Sequence, residues 1–198
     1  MKLNHPRIVL VLIFLLFATP VFLAVMMHSS WWHYQPSEMT NRGILVQPPQ
    51  AIDYTRLTFD DDVQPPADQW VIVYPVASPC MDTCRSDLES LRQIHKATGR
   101  RQQQLVVLPL LPAGAEPGLD RSLLGIYADF HPGQDRDGEV VAALARIADV
   151  DPQGGMKNGQ AFLVDPSGNI MMRYAPGFDP GDLNKDLKRL LKWSAKDG

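Results

Sequence analysis

The first feature of the hydrophobic pattern is an uncharged apolar run over residues 8–27. About 20 helical residues, at a rise of 1.5 Å each, match the roughly 30 Å hydrocarbon core of a bilayer. Lys2 and Arg7 precede the run, and the next basic residue is Arg42. Because basic residues flank the cytoplasmic end of membrane helices, the pattern predicts a cytoplasmic segment over residues 1–7, one transmembrane anchor and an exported remainder. A cleaved signal peptide is the alternative, although its apolar region is usually about 7–15 residues long.

After the apolar run, residues 28–68 carry five prolines among short apolar stretches. Proline lacks a backbone N–H group and breaks regular elements. This part of the sequence predicts a tether followed by extended structure.

Two continuous apolar runs, Trp70–Pro75 and Leu105–Leu111, predict strands buried on both faces. Pro109 predicts that the second strand ends early or lies near a sheet edge. Between the runs, apolar residues recur at helical spacing from Leu88 to Ile94, which predicts an amphipathic helix that ends near Gly99. Two strands joined by a crossover helix form a parallel pair.

The remaining pattern adds a second helix, a hairpin and a closing helix. The order strand, helix, strand, helix, strand, strand, helix predicts an α/β domain of thioredoxin-like fold over residues 69–198. Its later parts are a long connection over residues 112–138, a helix over 140–147, a strand over 160–164, a tight turn over 165–168, a hairpin partner over 170–174 and an amphipathic helix over 183–193, with Gly181 and Asp182 at its N-cap.

Composition excludes one class of partner. After Lys2 and Arg7 are set aside, the rest of the chain has 17 basic and 22 acidic side chains, a formal charge of −5. Nucleic-acid binding calls for a basic stripe or patch that attracts phosphates. The charge pattern therefore argues against a nucleic-acid partner.

Cys80 and Cys84 are the two cysteines of the chain, and they fall where the first buried strand gives way to the first helix. A helix N-terminus stabilises thiolates. A spacing of four places both side chains on one helix face with Cα atoms about 6 Å apart, which suits a disulfide. The same spacing lets both sulfurs reach one Cu(I) ion, which thiolates select. Copper handling, thiol–disulfide exchange and a fixed structural disulfide all stay open.

The sequence around the cysteines resembles a known family. Residues 78–88 (SPCMDTCRSDL) are similar to the Cys-Pro-Asp-x-Cys-Pro-x-x-Leu segment of Sco-type (SenC-like) cytochrome c oxidase assembly proteins, and residues 162–168 (FLVDPSG) resemble their later strand and turn. Residues 41–45, which lead to Pro48 and Pro49, resemble a divergent bacterial branch.

The resemblance implies a membrane-anchored thioredoxin-like protein on the periplasmic side of the bacterial inner membrane. It implies copper as cargo, or the redox state of copper-ligand cysteines as the substrate. The implied partner is a cytochrome c oxidase subunit or another copper or thiol assembly protein.

The sequence also departs from the family pattern. Met81 and Arg85 replace the prolines that follow the family's two cysteines. The family's third copper ligand is a histidine about eight residues before the Asp-Pro turn, and counting back from Asp165 gives Lys157. Thioredoxin-type reductases would have a cis-proline just before the later strand, and residues 156–159 contain none. The resemblance therefore supports the two cysteines as a copper or redox pair and leaves the third ligand unfilled.

Met156 and His131 are the other candidate metal ligands. Met156 is a soft thioether that we expect near the cysteines, with space filling as the alternative, and His131 lies in the long connection, a kind of segment that is often functional. His95 follows Cys84 by 11 residues, or about 16 Å along a regular helix, and cannot share its site. Two other functions stay open: a general thiol–disulfide oxidoreductase, in which Cys80 attacks and the second cysteine resolves, and a non-catalytic assembly scaffold.

Overall fold

A computed structural model of the chain describes residues 5–28, 41–60, 65–114, 130–149 and 156–194. The chain forms two units, residues 1–40 and residues 41–198. In the first unit, helix α1 runs over His5–His28, and its side chains are described over residues 8–23 and at 25 and 26. Within the residues described, no helix is both long enough and apolar enough to cross a membrane. The transmembrane anchor predicted over residues 8–27 is not confirmed.

The second unit is built on a mixed sheet. Its strands in the described residues are β1 (Ile44–Ala51), β2 (Leu57–Thr58), β3 (Trp70–Pro75), β4 (Leu105–Leu111), β5 (Gly133–Asp135), β6 (Ala161–Val164) and β7 (Asn169–Tyr174), in the order β1-β7-β6-β3-β4-β5-β2. Strands β3 and β4 are parallel, from Trp70 opposite Leu105 to Pro75 opposite Leu110. The hairpin of β6 and β7 is antiparallel, and Gly168 in its turn has a φ of 83°. The predicted parallel pair and hairpin are both confirmed.

Helices cover both faces of this sheet. They are α2 (Asp82–Ala97), α3 (Glu139–Ala145) and α4 (Pro180–Ser194). Alternate residues of the central strands point to opposite sides, so that Ile72 and Tyr74 pack with α2 and α4, while Val71 and Val73 pack with α3. The result is a three-layer arrangement with β3 near its centre.

Two sequence predictions about element ends were wrong. Strand β4 continues through Pro109 to Leu111 and lies between β3 and β5, with all seven residues buried. On the β5 side, its described pairings are at Val107 and then from Leu110 onward. Pro109 lies between these two pairings, where no hydrogen-bonded pairing on the β5 side is described. Its missing N–H group therefore interrupts no regular pattern of hydrogen bonds there. Helix α4 begins two residues before Asp182, because Asp179 accepts the N–H group of Gly181 at 2.7 Å and acts as the cap.

A buried carboxylate fastens the beginning of the second unit to its last helix. Asp186 is 2% exposed, and its Oδ2 accepts hydrogen bonds from the backbone N–H groups of Arg42 and Gly43 at 2.8 and 2.9 Å. The hydroxyl of Tyr174 donates to the same oxygen at 3.1 Å. Burial, followed by the charge and hydrogen bond of Asp186, raises the pKa of Tyr174 well above its usual value. Residues 41–51, predicted as part of the tether and extended segment, are thus fixed to the domain.

Replacing Gly43 with alanine is expected to lower the free energy of unfolding by about 2 kcal/mol, because the new methyl group overpacks a filled site. An ideal Cβ at Gly43 would lie 2.7 Å from Cζ of Tyr174, whose side chain is buried and hydrogen-bonded. Urea unfolding should show a lower midpoint with an unchanged slope. Arg42→Ala, which adds no bulk and keeps the backbone donor, should change stability by less than about 1 kcal/mol. Equal losses in the two variants would contradict the steric explanation.

Candidate functional site

The two cysteines form a disulfide at the end of the central strand. Strand β3 ends at Pro75, a short loop follows, and α2 begins at Asp82, so that the Cys80–Cys84 bond joins the loop to the first turn of the helix. Their Cα atoms are 5.3 Å apart, close to the separation that helical spacing predicts. Cys80 is half-buried, whereas Cys84 is 6% exposed. A partner can therefore reach the sulfur of Cys80 more readily than that of Cys84.

The first turn of α2 lacks a side-chain cap. Met81 occupies the N-cap position with extended backbone dihedrals and makes no side-chain hydrogen bond to the helix. Its carbonyl accepts the N–H group of Arg85 at 3.0 Å. The free N–H groups and the helix dipole at this end favour negative charge. A thiolate formed at the pair on reduction would be stabilised there.

A partly buried hydrogen bond lies about one helical turn beyond Cys84. Tyr74, at the end of β3, is 1% exposed and donates its hydroxyl proton to Oδ2 of Asp87 at 2.8 Å. Burial and this hydrogen bond raise the pKa of Tyr74 well above its usual value. A Cβ at Gly159 would lie 3.4 Å from the same carboxylate oxygen. Asp87 thus links the central strand to α2, and the loop before β6 passes close to its carboxylate at Gly159.

The loop before β6 is held by a buried amide. Gln160 is 1% exposed; its Nε2 donates to the carbonyls of Asp149 and Lys157, and its Oε1 accepts the N–H group of Asp149, all within 2.9 Å. Arg173 binds the carboxylate of Asp149 at 2.6 Å. These contacts fix the backbone on both sides of residues 150–155. The sequence pattern alone did not indicate them.

A pocket of about 470 Å³ opens at the loop that follows β3; we call it the uncharged pocket because none of its described lining residues is charged. Its walls come from the ends of β3 and β4, from α3 and from the loop before β6; Ser78, Leu110, Pro112, Val141, Met156 and Asn158 are among the lining residues. Ser78 lies two residues before Cys80, so the pocket is continuous with the loop that carries the half-buried cysteine.

Comparison with known proteins identifies the domain. Residues 70–194, more than half of the chain, match the family described as the transmembrane-like, thioredoxin-like, C-terminal domain. The chain belongs to this family. Its predicted thioredoxin-like α/β fold is confirmed.

Individual relatives are more distant. A probable phospholipid hydroperoxide glutathione peroxidase of Nicotiana sylvestris is 28% identical over 134 residues, which cover 61% of this chain and 79% of that protein. The copper-bound structure of Arabidopsis thaliana ScoI has a TM-score of 0.53 at 14% identity, over 73% of this chain and 97% of that one. A SCO1/SenC family lipoprotein of Bacillus anthracis gives 0.52 at 13% identity, over 73% and 98%. At these identities the two structures show a shared thioredoxin-like fold.

The candidate ligands within this family domain are not all brought to the cysteines. Met156 reaches the uncharged pocket, but it packs on the sheet face of α3, whereas both cysteines pack on the face of α2. The N–H group of His131 binds the carbonyl of Val107, a residue opposite Ile72 in the sheet.

The carbonyl of Val107, which His131 binds, lies about 10 Å back along the sheet from Pro75, at roughly 3.3 Å per residue. It also lies on the neighbouring strand, β4. The structure therefore does not bring His131 to the cysteine pair. His95 lies at the far end of α2, where its Nε2 is 3.1 Å from the carbonyl of Leu105.

Few of the described side chains could bind a metal ion at the cysteine pair. Among the described residues, no group of three His, Cys, Asp or Glu side chains could hold a metal ion. Lys157, at the position where the Sco-type resemblance places a histidine, is exposed, and its N–H group binds the carbonyl of Asp149. The described residues supply two cysteine sulfurs and do not complete a three-ligand copper site.

Proposed function

We propose that this protein reduces paired cysteines of a partner outside the cytoplasm, as an assembly factor for a respiratory cytochrome c oxidase. The observation that carries the proposal is the Cys80–Cys84 disulfide itself, with one half-buried sulfur and one buried sulfur at an uncapped helix N-terminus. Such asymmetry suits a pair in which one sulfur attacks and the other resolves.

The proposed exchange transfers two electrons and two protons from the cysteine pair to the partner disulfide. The Cys80 thiolate attacks one sulfur of the partner disulfide, and the partner's other sulfur leaves as a thiolate that takes up a proton. Cys84 loses its proton and attacks the Cys80 sulfur of the mixed disulfide, and the partner's first sulfur leaves and is protonated. The partner is then a dithiol, and Cys80 and Cys84 are again a disulfide. A dithiol donor must reduce the pair before the next cycle.

The assignment to the oxidase and to the periplasm is supported by separate observations. Residues 78–88 resemble the Sco-type cysteine segment, and the fold is shared with two Sco-type structures. A closed disulfide persists in oxidising compartments and is rare in the cytosol. We therefore place the domain on the periplasmic side of the bacterial inner membrane, with an oxidase subunit or another copper or thiol assembly protein as its partner.

The proposal is tested by equilibrating the full chain, in mild detergent, with glutathione buffers of graded redox potential. Free thiols are then trapped with a maleimide of known mass and counted by mass spectrometry. We expect the Cys80–Cys84 pair to open and close reversibly as a two-electron couple, and the reduced chain to convert one added disulfide per molecule to dithiol. A pair that stays closed across the whole series, down to strongly reducing buffers, would be a structural disulfide and would refute the proposal.

Copper handling is the second candidate, and the likeness in fold to a copper-bound ScoI structure favours it. Two thiolates one helical turn apart can both bind Cu(I). The test is an anaerobic Cu(I) titration of the reduced full chain against a competing chelator, beside the Cys80→Ser/Cys84→Ser variant. Binding of one copper that the variant loses would support this function, whereas equal copper uptake by both proteins would exclude the pair as its site.

A further inference from the structure

Met81 is unusually exposed for a large apolar residue of this domain. Among the described residues of the second unit, two large apolar side chains are exposed: Ile44 at 48% and Met81 at 72%. Met81 is also the residue between Cys80 and the first helical residue, Asp82. The most exposed apolar side chain of this unit thus stands directly beside the reacting sulfur.

This methionine contributes little to the stability of the fold. Serine, threonine, aspartate or asparagine at an N-cap stabilises a helix by about 1 kcal/mol, because the side chain accepts a free N–H group of the first turn. The Met81 side chain makes no such hydrogen bond, and its exposure leaves little of it to pack. Helix stability alone would favour a different residue here.

The pocket that begins near Met81, like Met81 itself, is uncharged where the structure describes it. The uncharged pocket begins at Ser78, within two residues of Cys80, and no charged side chain is among its described lining residues. Met156 lies in its wall, so a thioether is present both beside the disulfide and in the pocket. Methionine is unbranched and flexible and adapts to apolar partners of different shape.

We infer that Met81 is a specificity-determining contact that binds an apolar side chain of the partner within two residues of the partner's reacting cysteine. The inference rests on the proposed thiol–disulfide exchange and adds its preferred substrate. Because Cys80 must touch the partner sulfur during exchange, the side chains beside that sulfur meet the surface around Cys80, where the adjacent Met81 is 72% exposed. An exposed apolar residue gains free energy when an apolar group covers it, and a charged group in the same place would lose hydration.

The test compares the reduced full chain with its Met81→Ser and Met81→Leu variants. The probes are two synthetic peptides with an internal disulfide, identical except for leucine or aspartate on both sides of the first cysteine, and the small disulfide bis(2-hydroxyethyl) disulfide. Formation of the protein disulfide is followed by maleimide trapping and mass spectrometry. Urea unfolding of the three proteins is measured in parallel.

We expect wild type to react faster with the leucine peptide than with the aspartate peptide. Met81→Ser should lower the rate with the leucine peptide, relative to the rate of the same protein with the small disulfide, about tenfold, the scale of one lost apolar contact. The small disulfide corrects for any change in thiolate reactivity that the serine cap causes. The same variant should be more stable to urea, since serine caps α2. Met81→Leu, which keeps an apolar side chain, should react like wild type.

Other outcomes would overturn the inference. If Met81→Ser has the same leucine-peptide rate as wild type relative to the small disulfide, an apolar contact is excluded. A Met81→Leu variant as slow as Met81→Ser on this relative scale would also exclude it and would point to the thioether instead. A wild-type chain that reacts with all three disulfides but does not distinguish the peptides overturns this inference alone. Failure to react with any of them overturns the proposed function as well.

Discussion

Cys80→Ser is expected to reduce the rate of disulfide exchange to that of the uncatalysed background, since it removes the only cysteine sulfur that is more than slightly exposed. A serine hydroxyl is not ionised at neutral pH and cannot replace the thiolate. The measurement is conversion of a peptide disulfide to dithiol by the reduced full chain, followed by thiol trapping.

Cys84→Ser is the matched control for this variant. Both substitutions open the same small ring, which the chain-entropy relation values at about 2 kcal/mol, so both should lose similar stability. Only Cys84→Ser keeps the attacking sulfur, and it should accumulate a mixed disulfide with the partner that is visible as an added mass. A trapped adduct on Cys84 in the Cys80→Ser chain would reverse the two roles. Oxidase assembly that continues normally in cells carrying both substitutions would favour the non-catalytic scaffold.

Asp186→Ala is expected to lower the free energy of unfolding by about 3 kcal/mol, because it leaves buried donors without an acceptor. The donors are the N–H groups of Arg42 and Gly43 and the hydroxyl of Tyr174. Each unsatisfied buried donor costs about 1–3 kcal/mol, and water that enters the new cavity recovers part of the sum. Urea unfolding followed by circular dichroism gives the value.

Asp182→Ala is the control on the same helix. Its carboxylate binds Lys185 at 3.0 Å and approaches Arg42 at 3.9 Å, with 31% of the side chain exposed. Partly exposed ion pairs of this kind contribute less than about 1 kcal/mol. A loss for Asp186→Ala no larger than that for Asp182→Ala would mean that the buried carboxylate does not anchor residues 42 and 43.

The elements that were predicted well are those whose own residues carry a strong local signal. Strand β3 is a continuous β-branched run, α2 repeats apolar residues at helical spacing, and the turn at Gly168 requires a positive φ. The short strands β2 and β5, of two and three residues, carry no such signal. They exist because β5 pairs with β4 and β2 pairs with β5. Strand β1 contains two prolines and was expected only to be extended; it becomes a strand by pairing with β7.

The candidate site, like the fold, was predicted from the sequence only where its residues carry a local signal. The cysteine spacing and its position before a helix predicted a site that can form a disulfide, and the structure closes that bond. The hydrogen bond of Tyr74 to Asp87 joins a strand to a helix, and the hydrogen bonds of Gln160 to Asp149 join residues 11 positions apart. Hydrophobic periodicity does not report side-chain hydrogen bonds across elements, so neither could be predicted from it.

By itself, the sequence determined the parallel β3–α2–β4 unit, the closing hairpin and the placement of Cys80 and Cys84 at a helix N-terminus, because apolar periodicity and residue spacing act locally. Only the tertiary structure decided how far each cysteine is buried, that His131 lies away from the pair, and that residues 42 and 43 are fixed to α4 by Asp186. Burial and long-range pairing depend on how the layers pack around the sheet, and that packing is a property of the whole domain.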